Sequence, residues 1–191
     1  KTIIVNDGGS RNRTNSDSLT YHTISPGIER NACQLILDGM DVFSFGISQA
    51  PKTVNKLIEK FEIDKDAIHH FVFHQANLMM NKMIVKKLKL PVEKVPYSLK
   101  EFGNTSSTTI PLTIVTELKD SLTNATQDLI LCGFGVGLSW GTAKVKLDNV
   151  VISDLNLAVN ITHPKINDLY IGLLKPGATT VGEIRVVYQQ G

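Results

Sequence analysis

The sequence predicts a layered α/β domain over residues 1–148, followed by a short β-rich tail over residues 149–191. Three observations carry that expectation. Strand-like and helix-like apolar periods alternate up to about residue 147, as they do where helices pack on a sheet. From residue 150 to 188 the helical period disappears, and Pro164, Asn167, Asp168, Pro176, Gly177 and Gly182 punctuate short apolar runs. The chain has 191 residues, 42% of them hydrophobic. At that size roughly two-thirds of the unfolded surface can be buried, enough for a core without staples.

Residues 1–5 hold two Ile and one Val and are closed by Asn6-Asp7-Gly8-Gly9, which reads as a strand and a turn. Residues 10–26 are polar and read as a surface loop. Residues 41–45 form a second short apolar run, closed by Gly46. Residues 48–62 carry Val54, Leu57, Ile58 and Phe61 at helical spacing, with Pro51 near the start. A strand at residues 71–73 runs straight into His74. The strongest helical signal follows at residues 77–90. Met80, Ile84, Val85 and Leu88 share its apolar face, Lys82, Lys86, Lys87 and Lys89 lie largely off it, and Pro91 stops it. A Gly/Ser/Thr loop at 103–109 leads into a helix over 110–122. A buried strand at 128–132, a glycine cluster and an alternating strand at 138–147 complete the domain. In the tail, residues 150–152, 157–159, 169–173 and 184–188 read as strands.

Composition narrows function without naming it. Twenty basic and 18 acidic residues leave a formal charge of +2, which gives no reason to expect nucleic acid or a membrane surface as partner. No apolar run reaches transmembrane length, and the first residues lack a signal peptide's apolar core and cleavage site. A cytoplasmic protein is therefore expected, and the lack of an initiator Met suggests a chain that starts inside a longer gene. Two cysteines, Cys33 and Cys132, cannot build a disulfide framework or a Cys-rich metal site. No metal site and no bound cofactor are expected.

Three segments place reactive or small residues where strands end: His74, then Gly103-Asn104-Thr105-Ser106-Ser107, then Gly133-Phe134-Gly135-Val136-Gly137. Such edges of α/β sheets are where clefts form. A histidine there can move protons near neutral pH. An asparagine amide donates to developing negative charge without titrating, and a glycine turn exposes backbone N–H groups for the same purpose. Each segment has a plainer reading. A lone histidine at a strand end is more often structural, the asparagine loop resembles a helix cap, and the glycine cluster could be a phosphate turn. That cluster fails the dinucleotide fingerprint, because a strand follows it.

Together and in order, His74-Gln75-Ala76-Asn77, Gly103-Asn104-Thr105-Ser106 and Gly133-Phe134-Gly135-Val136-Gly137-Leu138-Ser139-Trp140-Gly141 resemble the C-terminal half of β-ketoacyl-acyl-carrier-protein synthase III. Asp38-Gly39-Met40-Asp41-Val42-Phe43, Leu90-Pro91 and Lys94-Val95 fit the same pattern. The resemblance implies a thiolase-like half, a mixed sheet with helices, forming part of a five-layer αβαβα fold. It implies an acyltransferase in fatty acid biosynthesis, condensing an acyl-CoA starter with malonyl-ACP by a Cys-His-Asn triad. His74 and Asn104 would be the triad's His and Asn, both facing the malonyl thioester carbonyl. The Val136 backbone N–H would be an oxyanion-hole donor, Phe134 would line the chamber, and Asn77 would support the substrate site from behind.

The implied partners are acyl carrier protein, an N-terminal half carrying the cysteine, and a second copy in a homodimer. Lys82, Lys86 and Lys87 would dock the carrier protein, although a lysine-rich face is usually only a solvated one. Neither Cys33 nor Cys132 matches the nucleophile position, so both are expected to be structural. The chain departs from the family at Val136, where a glycine is common, and at Met79, where well-known members carry an Arg. Two other readings stay open: an inactive thiolase-fold interaction module, and a related condensing enzyme with a different extender. Residues 157–163 and 168–177 faintly resemble the β-sandwich P domain of proprotein convertases. There His163 reads as a turn residue and Asn160-Ile161-Thr162 as a formal sequon.

Overall fold

The computed structural model describes residues 2–152, and beyond them the strands Leu157–Val159, Tyr170–Leu173 and Gly182–Arg185. The central sheet has the order β5-β6-β7, with β5 at His70–Phe73, β6 at Thr126–Gly135 and β7 at Ser139–Asp148. β5 runs parallel to β6, pairing His70 with Leu129 and Phe73 with Cys132. β6 and β7 form an antiparallel hairpin with Gly135 opposite Ser139. The glycine cluster is therefore not a loop. Gly133 and Gly135 continue the strand, and only residues 136–138 turn.

Side-chain alternation divides the core into two. Phe71 and Phe73 on β5 and Ile130 and Cys132 on β6 face Ala50, Val54, Met80, Ile84 and Leu88. These come from α1 (Gly39–Lys60) and α2 (Leu78–Leu88). Val72 and Leu129 face the other way, against Leu118, Leu122, Ile110 and Ile114. Those residues belong to α4 (Thr109–Glu117), α5 (Lys119–Leu122) and their junction, which follow the single turn α3 (Leu99–Phe102). Helices thus cover both faces of a mixed sheet, as the alternating pattern implied.

The apolar run at residues 41–45, expected to lie before the first helix, is itself helical. Asp38 caps α1 by accepting from the backbone N–H groups of Met40 and Asp41 at 3.1 and 3.0 Å, so the helix starts at Gly39. Pro51 then falls deep inside α1 rather than at its start. A proline there leaves the carbonyl four residues earlier without its usual donor. That carbonyl belongs to Ile47, and Lys87 on α2 donates to it from Nζ at 3.0 Å. The lysine and the proline are complementary parts of the α1–α2 contact. Gly46, one residue before Ile47, allows the close approach. A Cβ there would lie 2.5 Å from Met80 Sδ and 3.1 Å from Phe134 Cε2.

Other expectations need correction. Residues 10–26 contain β2 (His22–Ser25), which pairs antiparallel with β3 (Ile28–Arg30). β1 (Ile3–Ile4) pairs antiparallel with β4 (Ile36–Leu37), two residues too short to show a period. The helix expected over 110–122 breaks at Leu118 into α4 and α5. Thr113 and Thr116 turn their hydroxyls back onto the carbonyls of Thr109 and Leu112, a local competition that weakens a β-branched helix. Residues 150–152 form no strand; Val150 bridges Thr123, and Val150 and Ile152 pack against the Val72–Leu129 core.

In the tail, β8 (Leu157–Val159), β9 (Tyr170–Leu173) and β10 (Gly182–Arg185) form an antiparallel sheet of order β10-β9-β8. Residues 160–169, with the sequon and His163, lie outside the described residues, as do 174–181 and 186–191.

Candidate active site

β5 ends at Phe73, yet the chain stays in register for one more residue: the His74 N–H donates to the Cys132 carbonyl at 2.8 Å. Alternation puts His74 on the Val72 side, toward α4, and Thr109 at the start of α4 receives it. His74 Nδ1 lies 2.7 Å from Thr109 Oγ1, and Thr109 is buried. The ring also meets Phe134 in a T-shaped contact, with centroids 5.3 Å apart and planes at 84°. Asn81, buried on α2, donates to the His74 carbonyl at 3.2 Å. The histidine is thereby held by its backbone, its ring nitrogen and its ring contact with Phe134.

Asn104 follows Gly103, whose φ of 64° and ψ of −153° suit glycine and little else. The Asn104 Oδ1 accepts from the Ser106 N–H at 2.9 Å, and Nδ2 sits 3.5 Å from the Ala76 carbonyl, at the limit of a hydrogen bond. Its oxygen is thus committed to the backbone, leaving the amide hydrogens as the available donors. His74, Asn104, Ser106, Phe134, Val136 and Trp140 all line one cleft of about 780 Å³. Val136 is the first residue of the β6–β7 turn, at the cleft wall. The far wall is apolar and comes from the N-terminal segment, through Ile3, Leu35, Leu37 and Val42.

The remaining site residues are placed elsewhere. Asn77 caps α2, its Oδ1 accepting from the Met80 N–H at 2.8 Å, and it does not line the cleft. Lys82 and Lys86 are exposed on α2 beside exposed Met79, whereas the Lys87 ammonium is occupied by Ile47. Cys132 is fully buried in β6, which pushes its thiol up to about 11. Cys33 is half-buried, its backbone N–H bonded to Asn31 Oδ1, and it does not line the cleft. Among the described residues no group of three His, Cys, Asp or Glu side chains could hold a metal. No helix among them is long and apolar enough to cross a membrane.

Burial lowers the pKa of His74 below the usual histidine value, with the Ser106 carbonyl opposing in part. His70 is lowered too, by burial first and then by neighbouring His69, against the raising effect of the Gln127 side chain, whose amide oxygen favours a ring N–H. Both imidazoles are therefore neutral at pH 7. Below about pH 6.5, the ordinary histidine value, the unfolded chain binds protons that the folded chain refuses, so stability rises with pH there. The stability these groups contribute is present above pH 6.5 and lost as pH falls through their folded values. We expect the urea midpoint to drop between pH 7 and pH 5, and His70→Gln to flatten the drop. A midpoint that does not change with pH would remove the burial argument.

A mixed sheet with helices on both faces, a histidine at the end of a parallel strand and an asparagine loop beside it define a thiolase-like half domain. Residues 58–147 match the family model described as the C-terminal region of 3-oxoacyl-[acyl-carrier-protein] synthase III. A β-ketoacyl-[acyl-carrier-protein] synthase III from Streptococcus mutans is 31% identical over 147 residues, covering 75% of this chain and 45% of the relative. A crystal structure of a 3-oxoacyl-(acyl-carrier-protein) synthase III superposes with a TM-score of 0.70 at 33% identity, over 75% of this chain and 43% of that one. The corresponding synthase from Burkholderia xenovorans LB400 has a TM-score of 0.62 at 42% identity, over 64% of this chain and 36% of that one. The chain spans less than half the length of the relatives it matches.

Sequence reasoning had pointed to His74, Asn104, Phe134 and Val136, and the fold brings all four to one cleft. Sequence alone does not single out Thr109, which reads as the end of a loop. Nor does it single out the apolar wall from residues 3–42, which carries no motif at all.

Proposed function

We propose that the chain supplies the His/Asn half of the active site of a condensing acyltransferase. The enzyme would join an acyl-CoA starter to malonyl-acyl carrier protein with loss of CO₂, in fatty acid biosynthesis. The observation that carries the reading is the convergence of His74, Asn104 and the Val136 turn on one cleft, within a segment similar to synthase III enzymes. Loss of CO₂ from a malonyl thioester leaves an electron pair that delocalises onto the thioester oxygen. Donors aimed at that oxygen lower the barrier most, because charge grows there as the C–C bond breaks. Asn104 offers amide hydrogens, and His74 stands beside it as the second polar group. The resulting carbanion attacks the acyl group held on a cysteine thioester, whose oxyanion the Val136 N–H would receive.

Neither Cys132, buried with a raised pKa, nor Cys33, off the cleft, suits the nucleophile. The cysteine would therefore come from a preceding half, which would also face the apolar wall. Exposed Lys82 and Lys86, with exposed Met79 on the same helix, offer a cationic and apolar face for an acidic carrier protein. Lys87 is better placed to hold α1 than to bind a partner. A homodimer in the cytoplasm completes the proposal. A purely structural module is less well supported, since it gives no reason for an uncommitted amide donor and an imidazole at one cleft. For the tail, likeness to a P domain is supported only by three antiparallel strands, and no role is assigned to it.

The test is reconstitution with a cysteine-bearing half. Decarboxylation and condensation are expected on mixing. The 191-residue chain alone should retain no label from radiolabelled acyl-CoA. Stoichiometric labelling of Cys33 or Cys132, or failure of a well-folded mixture to condense, would overturn the reading.

A further inference from the structure

We propose that the Thr109 hydroxyl is a positioning group that fixes His74 as its Nδ1–H tautomer, leaving the Nε2 lone pair turned to the cleft. Thr109 Oγ1 sits 2.7 Å from His74 Nδ1 and 2.9 Å from the Ser106 carbonyl oxygen. A hydroxyl has one proton to give. The Ser106 carbonyl has lone pairs but no hydrogen, so of the two neighbours only Nδ1 can be a donor to Thr109. Once the hydroxyl proton goes to Ser106, the imidazole must supply the hydrogen between Nδ1 and Oγ1. The chain is then Nδ1–H to Oγ1–H to O=C, every hydrogen used once.

The opposite arrangement turns the hydroxyl proton onto Nδ1 and gives up the part-buried bond to Ser106. Thr109 is only 1% exposed, so its hydroxyl meets little solvent in exchange. The Ser106 carbonyl also favours the protonated ring. Among the described residues the side-chain hydrogen bond of the His74 ring is at Nδ1, and His74 lines the cleft, so we take Nε2 as the ring atom that substrate meets.

The consequence rests on the proposed condensing reaction. With a bare Nε2, neutral His74 accepts a hydrogen bond and cannot donate one to the thioester oxygen. In the empty site Asn104 is then the standing donor. His74 joins it only after taking a proton from solvent onto Nε2, a step that an anionic malonyl group in the cleft would favour electrostatically.

The tautomer can be read directly from imidazole ¹⁵N shifts of the full chain labelled at histidine, with His74→Gln identifying the signal. The expected result above pH 7 is a protonated Nδ1 and an unprotonated Nε2 at residue 74. Thr109→Ser should keep that pattern, and Thr109→Val should shift the ring toward the Nε2–H form that free imidazole prefers. A predominant Nε2–H signal in the unsubstituted chain would overturn the proposal. So would an unchanged Nδ1–H signal in a folded Thr109→Val chain. Should Thr109→Val not fold, the unsubstituted and Thr109→Ser chains still decide. None of these readings needs catalysis. An Nδ1–H tautomer in a chain that never supports condensation would leave the proposal standing while the functional reading fell.

Discussion

Replacing His74 with alanine is expected to slow malonyl-thioester decarboxylation by about 10²–10³ in the reconstituted enzyme, the usual effect of losing one group that stabilises an oxyanion. Loading of the acyl group onto the cysteine should stay within a few-fold, because that step does not develop charge beside His74. The two half-reactions are separable: CO₂ release from malonyl-acyl carrier protein reports the first, and retention of acyl label reports the second. Asn104→Ala should behave alike. If the two residues act on one oxygen, the double variant will be far less than additive. The fold should tolerate both changes, since Asn104 is exposed and His74 only half-buried. Decarboxylation persisting within a few-fold in His74→Ala would make this histidine a structural residue and would sink the catalytic assignment.

Phe73→Ala should be the most damaging single change to stability near the site, at about 3–5 kcal/mol. Phe73 is 1% exposed and packs with Phe71, Met80, Ile84 and Ile130 in the core between the sheet and α1–α2. Small domains are stable by about 5–15 kcal/mol in total, so a loss of that size removes a large part of what is available. A urea titration should show a much lower midpoint with an unchanged slope. Met79→Ala, by contrast, should stay within about 0.5 kcal/mol, as surface changes usually do, because Met79 is 68% exposed. Similar midpoints for the two variants would contradict the placement of the core.

The contrast between what sequence made legible and what it hid has physical causes. The α2 helix was legible because its apolar residues recur at 3.6, its cap is an asparagine and Pro91 follows its end. Helix α1 was hidden at its start because Asp41 to Phe45 is short and apolar, a pattern that strands and buried helices share. The informative residue was Asp38, a helix cap, whose message conflicts with Pro51 until Lys87 is seen to satisfy the freed carbonyl. No single-sequence rule anticipates that contact, since its partners are 40 residues apart. The glycine cluster misled for a related reason. Glycine punctuates turns in general, but Gly133 and Gly135 are ladder residues opposite Gly141 and Ser139. At the site, His74 and Asn104 were legible because their neighbours form motifs. Thr109 was not, because a buried hydroxyl's importance lies in where a fold puts it.

The parallel pairing of β5 with β6 has a kinetic meaning. The β6–β7 hairpin joins neighbours in sequence, so it can zip locally. His70 and Leu129, by contrast, meet across 59 positions, and contacts that close long loops form late because chain entropy opposes them until many partners arrive together. His74 opens that loop and Asn104 lies in its middle, so neither has a cleft to face until the crossover docks. Through most of its folding the chain would carry these two side chains far apart, and the pair would come into being with the native sheet rather than before it.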